Sequence, residues 1–300
     1  METRSLIRAH GSAIWPGWSD DALSALVLTP DGEYLFCRQP QQGFAPAPRD
    51  AVTGCRVQVR QLENNLDDAA IVELGDEAVA MIGTPEGLEY GGIDWQLTLA
   101  HEMFHAFQNS LPGYLAAVDA VSAQLRPEGT ADASWMLTHP FPYDEPETAE
   151  LLAPMAGAAV AYLESTDADV RRAAILRYLA ARREAELRLG ARHWLYYEFQ
   201  AGQEGVARWT ERALAVEAGA VNRDYAQAAE ERRLGMLNSI RAIERQGIGI
   251  WKRNTFYAYG SVEADMLDFL DPHWRAAYEA RPFTLGEHLA ERLNPSGNLR

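Results

Sequence analysis

Apolar residues come in short runs and alternations over the first ninety or so residues, and recur at helical spacing after that. In "SALVLTPDGEYLFCRQ" (24–39) two apolar runs flank Pro30-Asp31-Gly32. Proline presets the turn backbone and glycine tolerates its left-handed corner, so the pattern predicts a β-hairpin. In "GCRVQVRQL" Val57 and Val59 alternate with Gln58 and Arg60, the period of a half-buried strand. "EAVAMIG" (77–83) is a third strand, ended by Thr84-Pro85, and the Pro- and Gln-rich "QPQQGFAPAPRD" between them reads as a loop.

From Asp94 the period changes. Asp94 is the expected N-cap of a helix running to about Ser110, stopped by Pro112-Gly113. Further helices are expected at 115–125, 147–164, 168–189, 193–217, 222–245, 259–270 and 272–281. In "DVRRAAILRYLAARREAELRL" the residues Val170, Ala174, Leu176, Leu179 and Leu187 stand among charges, which predicts an amphipathic helix burying them. Residues 127–146 carry four prolines and read as a long loop. The expectation is an α+β chain, mostly helical, with a small β-rich portion over 1–92 and a helical body over 93–300.

Composition narrows the possibilities. The chain has 300 residues, 47% of them apolar and 23% charged, enough for a substantial core. A formal net charge of −16 argues against nucleic acid as a partner, because phosphate binding needs a basic face. The apolar run "LLAPMAGAAVAYL" (151–163) is interrupted by proline and too short to span a bilayer, so no membrane role is expected. "METRSLIRAHGSAIW" lacks the apolar core of a signal peptide, which fits a cytoplasmic chain and also a secreted mature form without its leader. Cys37 and Cys55 have no metal-type spacing; one bridge or two thiols both fit the pattern. Nothing in the sequence sets an oligomeric state.

Candidate chemistry is concentrated in "TLAHEMFHAFQN" (98–109). On a helix, positions i and i+4 lie on one face, so His101 and His105 present two imidazoles to a single ion. Glu102 sits about 100° around the helix, out of reach as a third ligand but placed to take a proton from a water at the metal. These are the elements of H-E-x-x-H zinc chemistry, which needs a third protein ligand and an open fourth position. A third histidine in the x-x-Gly-x-x-His arrangement is excluded, because Gln108 and Leu111 occupy those positions.

A glutamate from a second helix is the other way to complete the set. In "YYEFQAGQEGVARWTER" (196–212) three glutamates compete, Glu198, Glu204 and Glu211. Glu204 is followed by Gly205, which lets a partner helix approach closely. Glu211, seven residues on, shares its face and is placed to orient a ligand from behind, whereas Glu198 points elsewhere. At these residues the chain resembles a family: Glu204-Gly205-Val206-Ala207-Arg208-Trp209-Thr210-Glu211 is similar to the E-G-x-A-x-[aromatic]-x-E segment of gluzincin metallopeptidases, and looks most like the zinc aminopeptidase branch. The resemblance implies a zincin-like catalytic body, zinc on His101, His105 and Glu204, and Glu102 as general base. It covers two short segments. Glu204 follows His105 by 99 positions, far more than in the aminopeptidases. Their upstream G-x-M-E-N segment has no counterpart in "AVAMIGTPEGLEYGGIDW", so exopeptidase specificity does not carry over.

By the same analogy a tyrosine after the third ligand steadies the oxyanion. In "RNTFYAYGSVEADMLDFLDPHW" Tyr257 is the first choice and Tyr259 the reserve, while Arg253 reads as a solvated side chain with a second possible role at a substrate carboxylate. His139, His193, His273 and His288 have no partner at ligand spacing, and "HWLYYEF" reads as core. The functional expectation is a zinc metallopeptidase acting on a peptide or protein. Two other readings stay open: a catalytically retired scaffold that binds peptides, and a zinc hydrolase of another substrate.

Overall fold

The computed structural model describes residues 2–19, 24–130 and 133–293. Among them the chain is mostly helical with a small mixed sheet, an α+β architecture, and its contacts define two compact units.

The first unit comprises Met1–Leu111 and Thr210–Glu231. It opens with helix α1 (Glu2–Ile14), which buries Leu6, Ile7 and Ile14. The expectation of strand and turn alone over this region is corrected here: the buried positions of α1, Thr3, Leu6, Ile7, Gly11 and Ile14, recur at helical spacing. Six strands follow, β1 (Ala25–Thr29), β2 (Gly32–Phe36), β3 (Ala45–Ala47), β4 (Val57–Arg60), β5 (Ala69–Leu74) and β6 (Glu77–Gly83), in the order β3-β4-β2-β1-β6-β5. The β1–β2 hairpin turns at Pro30-Asp31, as its turn chemistry predicts. The strands at 57–60 and 77–83 are also present. β3 forms inside the expected loop, and β5 is an additional edge strand whose side chains are largely half-buried, so it lacks the clean alternation that would announce it. β1 and β6 run parallel at the centre, and the other neighbours are antiparallel. One face packs Leu26, Leu28, Leu35, Val79 and Met81 into a core. Cys37 and Cys55 are joined in a disulfide.

After β6, Thr84 caps the short helix α2 (Pro85–Leu88), and α3 (Gly92–Ser110) follows. The N-cap of α3 is Gly91, three residues before the expected Asp94, which instead lies in the first turn and favours the positive end of the helix dipole. Helix α3 packs on β6, and Trp95 Nε1 donates to the Gly83 carbonyl at 2.6 Å. Gly83 is required here, because a Cβ would lie 1.8 Å from the Leu66 carbonyl oxygen. On α3, Phe104 and Phe107 pack against Trp15 and Trp18.

The second unit comprises Pro112–Trp209 and Arg232–Arg300. The boundary expected at residue 92 falls inside the first unit. The second unit holds α4 (Tyr114–Leu125), α5 (Trp135–Thr138), α6 (Pro146–Glu164), α7 (Ala168–Leu189) and α8 (Ala191–Gln200). A π-helical turn, Ala201–Gly205, leads from α8 into α9 (Val206–Gly219), so the helix expected over 193–217 is interrupted in its middle. Helices α10 (Arg223–Gln246), α11 (Asn254–Leu270), α12 (Arg275–Ala280) and α13 (Leu285–Leu293) complete the chain. The loop expected over 127–146 contains α5, and its residues 131 and 132 lie outside the described ones.

Helix α7 buries only part of the expected set, Ala174 fully and Leu179 by half. Ala174, Ile175, Tyr178, Arg182 and Ala185 are inside, whereas Val170, Leu176 and Leu187 are exposed. The reason is Arg182, whose guanidinium pairs with Glu198 at 2.6 Å and Glu263 at 3.0 Å in the interior. No described helix is long and apolar enough to cross a membrane.

Candidate metal centre

Helix α3 places His101 and His105 one turn apart, and their Nε2 atoms lie 3.1 Å from each other. Both are nearly buried, at 7% and 6% exposure, and Glu102 between them is at 8%. His105 is oriented by its own helix: Nδ1 lies 2.7 Å from Gln108 Oε1, one turn on. The amide oxygen accepts, so Nδ1 carries the ring proton and Nε2 keeps its lone pair. His101 is oriented from α9, where Glu211 Oε2 lies 3.2 Å from its Nδ1. Glu211 is 2% exposed. The residue before it, Thr210, accepts a 2.8 Å hydrogen bond from Trp15 Nε1 through its hydroxyl, which fixes the start of this part of the helix.

With Nδ1 of His105 protonated and Glu211 facing Nδ1 of His101, the two rings turn Nε2 toward Nε2. At 3.1 Å that approach is unfavourable unless a cation or a shared proton stands at the two nitrogens. For tetrahedral zinc with nitrogen ligands at about 2.0–2.1 Å, the nitrogen–nitrogen separation is about 3.3 Å. Acceptors behind both rings are the arrangement that raises imidazole basicity toward a metal. The donor set therefore fits zinc.

In the second unit, Glu204 lies within the π-helical turn, an irregularity often found at functional positions. The turn packs on α11, and a Cβ on Gly205 would fall 2.3 Å from Gly260 Cα. The close approach expected from Gly205 is thus made with α11. Arg253 Nη1 lies 3.8 Å from Glu204 Oε1 and donates to the Tyr257 hydroxyl at 2.6 Å. Burial pushes the Tyr257 phenol up, with Glu204 adding to the effect and Arg253 opposing it, so it stays protonated and able to donate. Burial works against the charge on Arg253, but Tyr257 and Glu204 outweigh it and hold the guanidinium firmly protonated.

The other candidates separate cleanly. Tyr259, the reserve, donates its hydroxyl to the Leu152 carbonyl at 2.9 Å and is buried in the core. Glu198 faces Arg182, and burial pushes its carboxyl up to about 7, with Arg182 opposing and Glu263 reinforcing the shift. The aromatics of "HWLYYEF" are core. Arg253 is mostly covered and engaged at Tyr257, so it is not the solvated side chain expected. Gln108 was visible only as the position where a glycine would stand in another zinc motif, although its i+3 spacing from His105 marks it as a neighbour on the same face.

His101 and His105 lie in the first unit and Glu204 in the second. No protein-family model matches the chain, no curated protein matches it, and no solved structure matches it.

Proposed function

We propose that the protein is a zinc-dependent metallopeptidase of gluzincin-like, zincin-type construction. The observation that carries this reading is the pair of buried imidazoles on α3, Nε2 facing Nε2 at 3.1 Å, each backed by an acceptor at Nδ1. In this reading His101, His105 and Glu204 hold zinc, which supplies Lewis-acid polarisation of a substrate carbonyl and an acidified water.

The remaining work falls to the protein's own groups. Glu102, next to His101 on the same helix and almost fully covered, takes the proton of the attacking water and returns it to the departing nitrogen. Tyr257, kept protonated, donates to the oxygen that gains charge as the carbonyl becomes tetrahedral. Arg253 positions Tyr257 by donating to the phenol oxygen, and the phenol's own proton is shared with Glu204. Gln108 keeps His105 in the tautomer that presents Nε2, and Glu211 places its negative charge behind the His101 ring. The substrate is a peptide or protein.

The test has two parts. Elemental analysis of the full chain gives about one zinc per molecule, and a mixed peptide pool is cleaved in a chelator-sensitive way. Glu102→Gln keeps the zinc and lowers turnover by about 100- to 10,000-fold. Zinc without cleavage of any peptide would transfer the site to the binding-scaffold reading; wild-type cleavage by Glu102→Gln would remove Glu102 as the base.

A further inference from the structure

Positive charge is scarce in this chain, with 27 Lys and Arg against 43 Asp and Glu. Even so, Arg4, Arg38, Arg49 and Arg56 line one cavity of about 260 Å³ in the first unit, beside the Cys37–Cys55 disulfide. They come from separate segments: Arg4 from α1, Arg38 from just after β2, Arg49 from the following loop and Arg56 from just before β4.

These arginines are unequally engaged. All three nitrogens of Arg38 are committed, Nη1 to Glu77, Nε to Gln41 and Nη2 to the Leu74 carbonyl. Arg49 commits Nη1 to the Gly54 carbonyl at 2.8 Å, and Arg56 commits Nη1 to Gln39 Oε1 at 3.2 Å. Arg4 turns Nη1 toward Cys55 Sγ, and its Nε is buried with no hydrogen-bond partner. A guanidinium carries five N–H donors, so most donors on Arg4, Arg49 and Arg56 have no acceptor among the described residues. Among the described residues, Glu77 is the one carboxylate in an ion pair with any of the four. Burial, with Arg8 nearby, lowers the pKa of Arg4, which marks uncompensated positive charge at the cavity wall.

We propose that this cavity is a binding site for a compact oxyanion carrying two or more negative charges, a phosphate group above all. Guanidinium forks match the oxygens of phosphate bidentately, and a strong site needs several of them held in a fixed relation. The disulfide supplies that relation: Cys37 precedes Arg38 and Cys55 precedes Arg56, so one covalent bridge sets the spacing of two of the four arginines. A singly charged ligand would leave most of the positive charge unmatched. The site owes nothing to the zinc reading and stands or falls separately.

Calorimetric titration of the full chain, freed of metal by chelation and then dialysed, tests it. The probes are inorganic phosphate and glycerol 3-phosphate, with sodium chloride at matched ionic strength as the control. Saturable binding of either phosphate probe is expected, and whichever binds tighter identifies free phosphate or a phosphomonoester as the source of the group. Arg49→Gln and Arg56→Gln each weaken binding by about tenfold or more, and reduction of the disulfide with dithiothreitol weakens it as well. Arg49 is exposed, so its variant tests the site without burdening the fold. Heat from neither phosphate probe, or an affinity that the double variant leaves unchanged, overturns the proposal.

Discussion

Two pairs of imidazoles meet in this protein at the same distance and in opposite circumstances. His101 and His105 approach at 3.1 Å within one helix turn, and His139 and His193 approach at 3.1 Å across 54 positions of sequence. Behind the first pair stand an amide oxygen that accepts from His105 Nδ1 and a carboxylate whose Oε2 lies 3.2 Å from His101 Nδ1. Around the second pair stand aromatic rings and an arginine. His139 stacks on Tyr196 at 4.4 Å, and Phe141 meets His193 edge-on. Burial pushes His139 down to about 4, with His193 and Arg192 adding to the shift, and burial with Arg192 lowers His193 too. Among the described residues, the second pair gains no third ligand group. Proximity of two histidines is therefore neutral on its own; carboxylate and amide acceptors behind the rings prepare a pair for a cation, and apolar cover with a neighbouring positive charge keeps it neutral.

The largest expected effect separates the pairs outright. His105→Ala abolishes bound zinc by elemental analysis, while His139→Ala leaves zinc content at the wild-type level. Loss of zinc from both variants would mean that the pairs do not differ in the way described. Next in size is the acceptor behind the ring: Glu211→Gln lowers zinc affinity by about 10- to 100-fold in a competition titration with a chelating dye. Arg192→Gln, next to the second pair, leaves that affinity unchanged.

The smallest effect is one of pH. In the unfolded chain a histidine takes up its proton near pH 6.5, whereas folded His139 resists protonation down to about 4. The stability contributed by keeping the ring neutral is thus complete above about pH 6.5 and is lost as pH falls toward 4. Urea midpoints measured between pH 7 and 4.5 follow this fall, and His139→Phe flattens it. An unaltered slope in that variant would show that the acid sensitivity arises elsewhere.

Legibility from sequence followed the range over which each residue finds its partners. The two histidines and Glu102 are separated by a helix turn or less, so helical geometry alone puts them on neighbouring positions. Glu211 could be read because it lies two turns beyond Glu204. Gln108 is equally local and was available to the same reasoning from its i+3 spacing. Arg182 was not, since its buried charge is tolerated through Glu198 and Glu263, one of them 81 positions away. A stripe drawn through Val170, Leu176 and Leu187 was therefore the natural mistake. β5 escaped because an edge strand with half-buried side chains leaves no two-residue period. The second histidine pair escaped because it joins a loop to a distant helix.

The contact between Gly205 and Gly260 has one more consequence. Two backbones without side chains between them behave like parts bolted face to face, with no compressible gasket. Glu204 lies one position from one glycine, and Tyr257 lies three from the other. Any vibration or drift of α11 is handed on to the π-helical turn with little slack, so the acid and the phenol share a datum and keep their spacing even while the surrounding helices breathe. A single methyl group at either glycine would act as a shim, and the error it introduced would appear where the carboxylate and the hydroxyl are aimed.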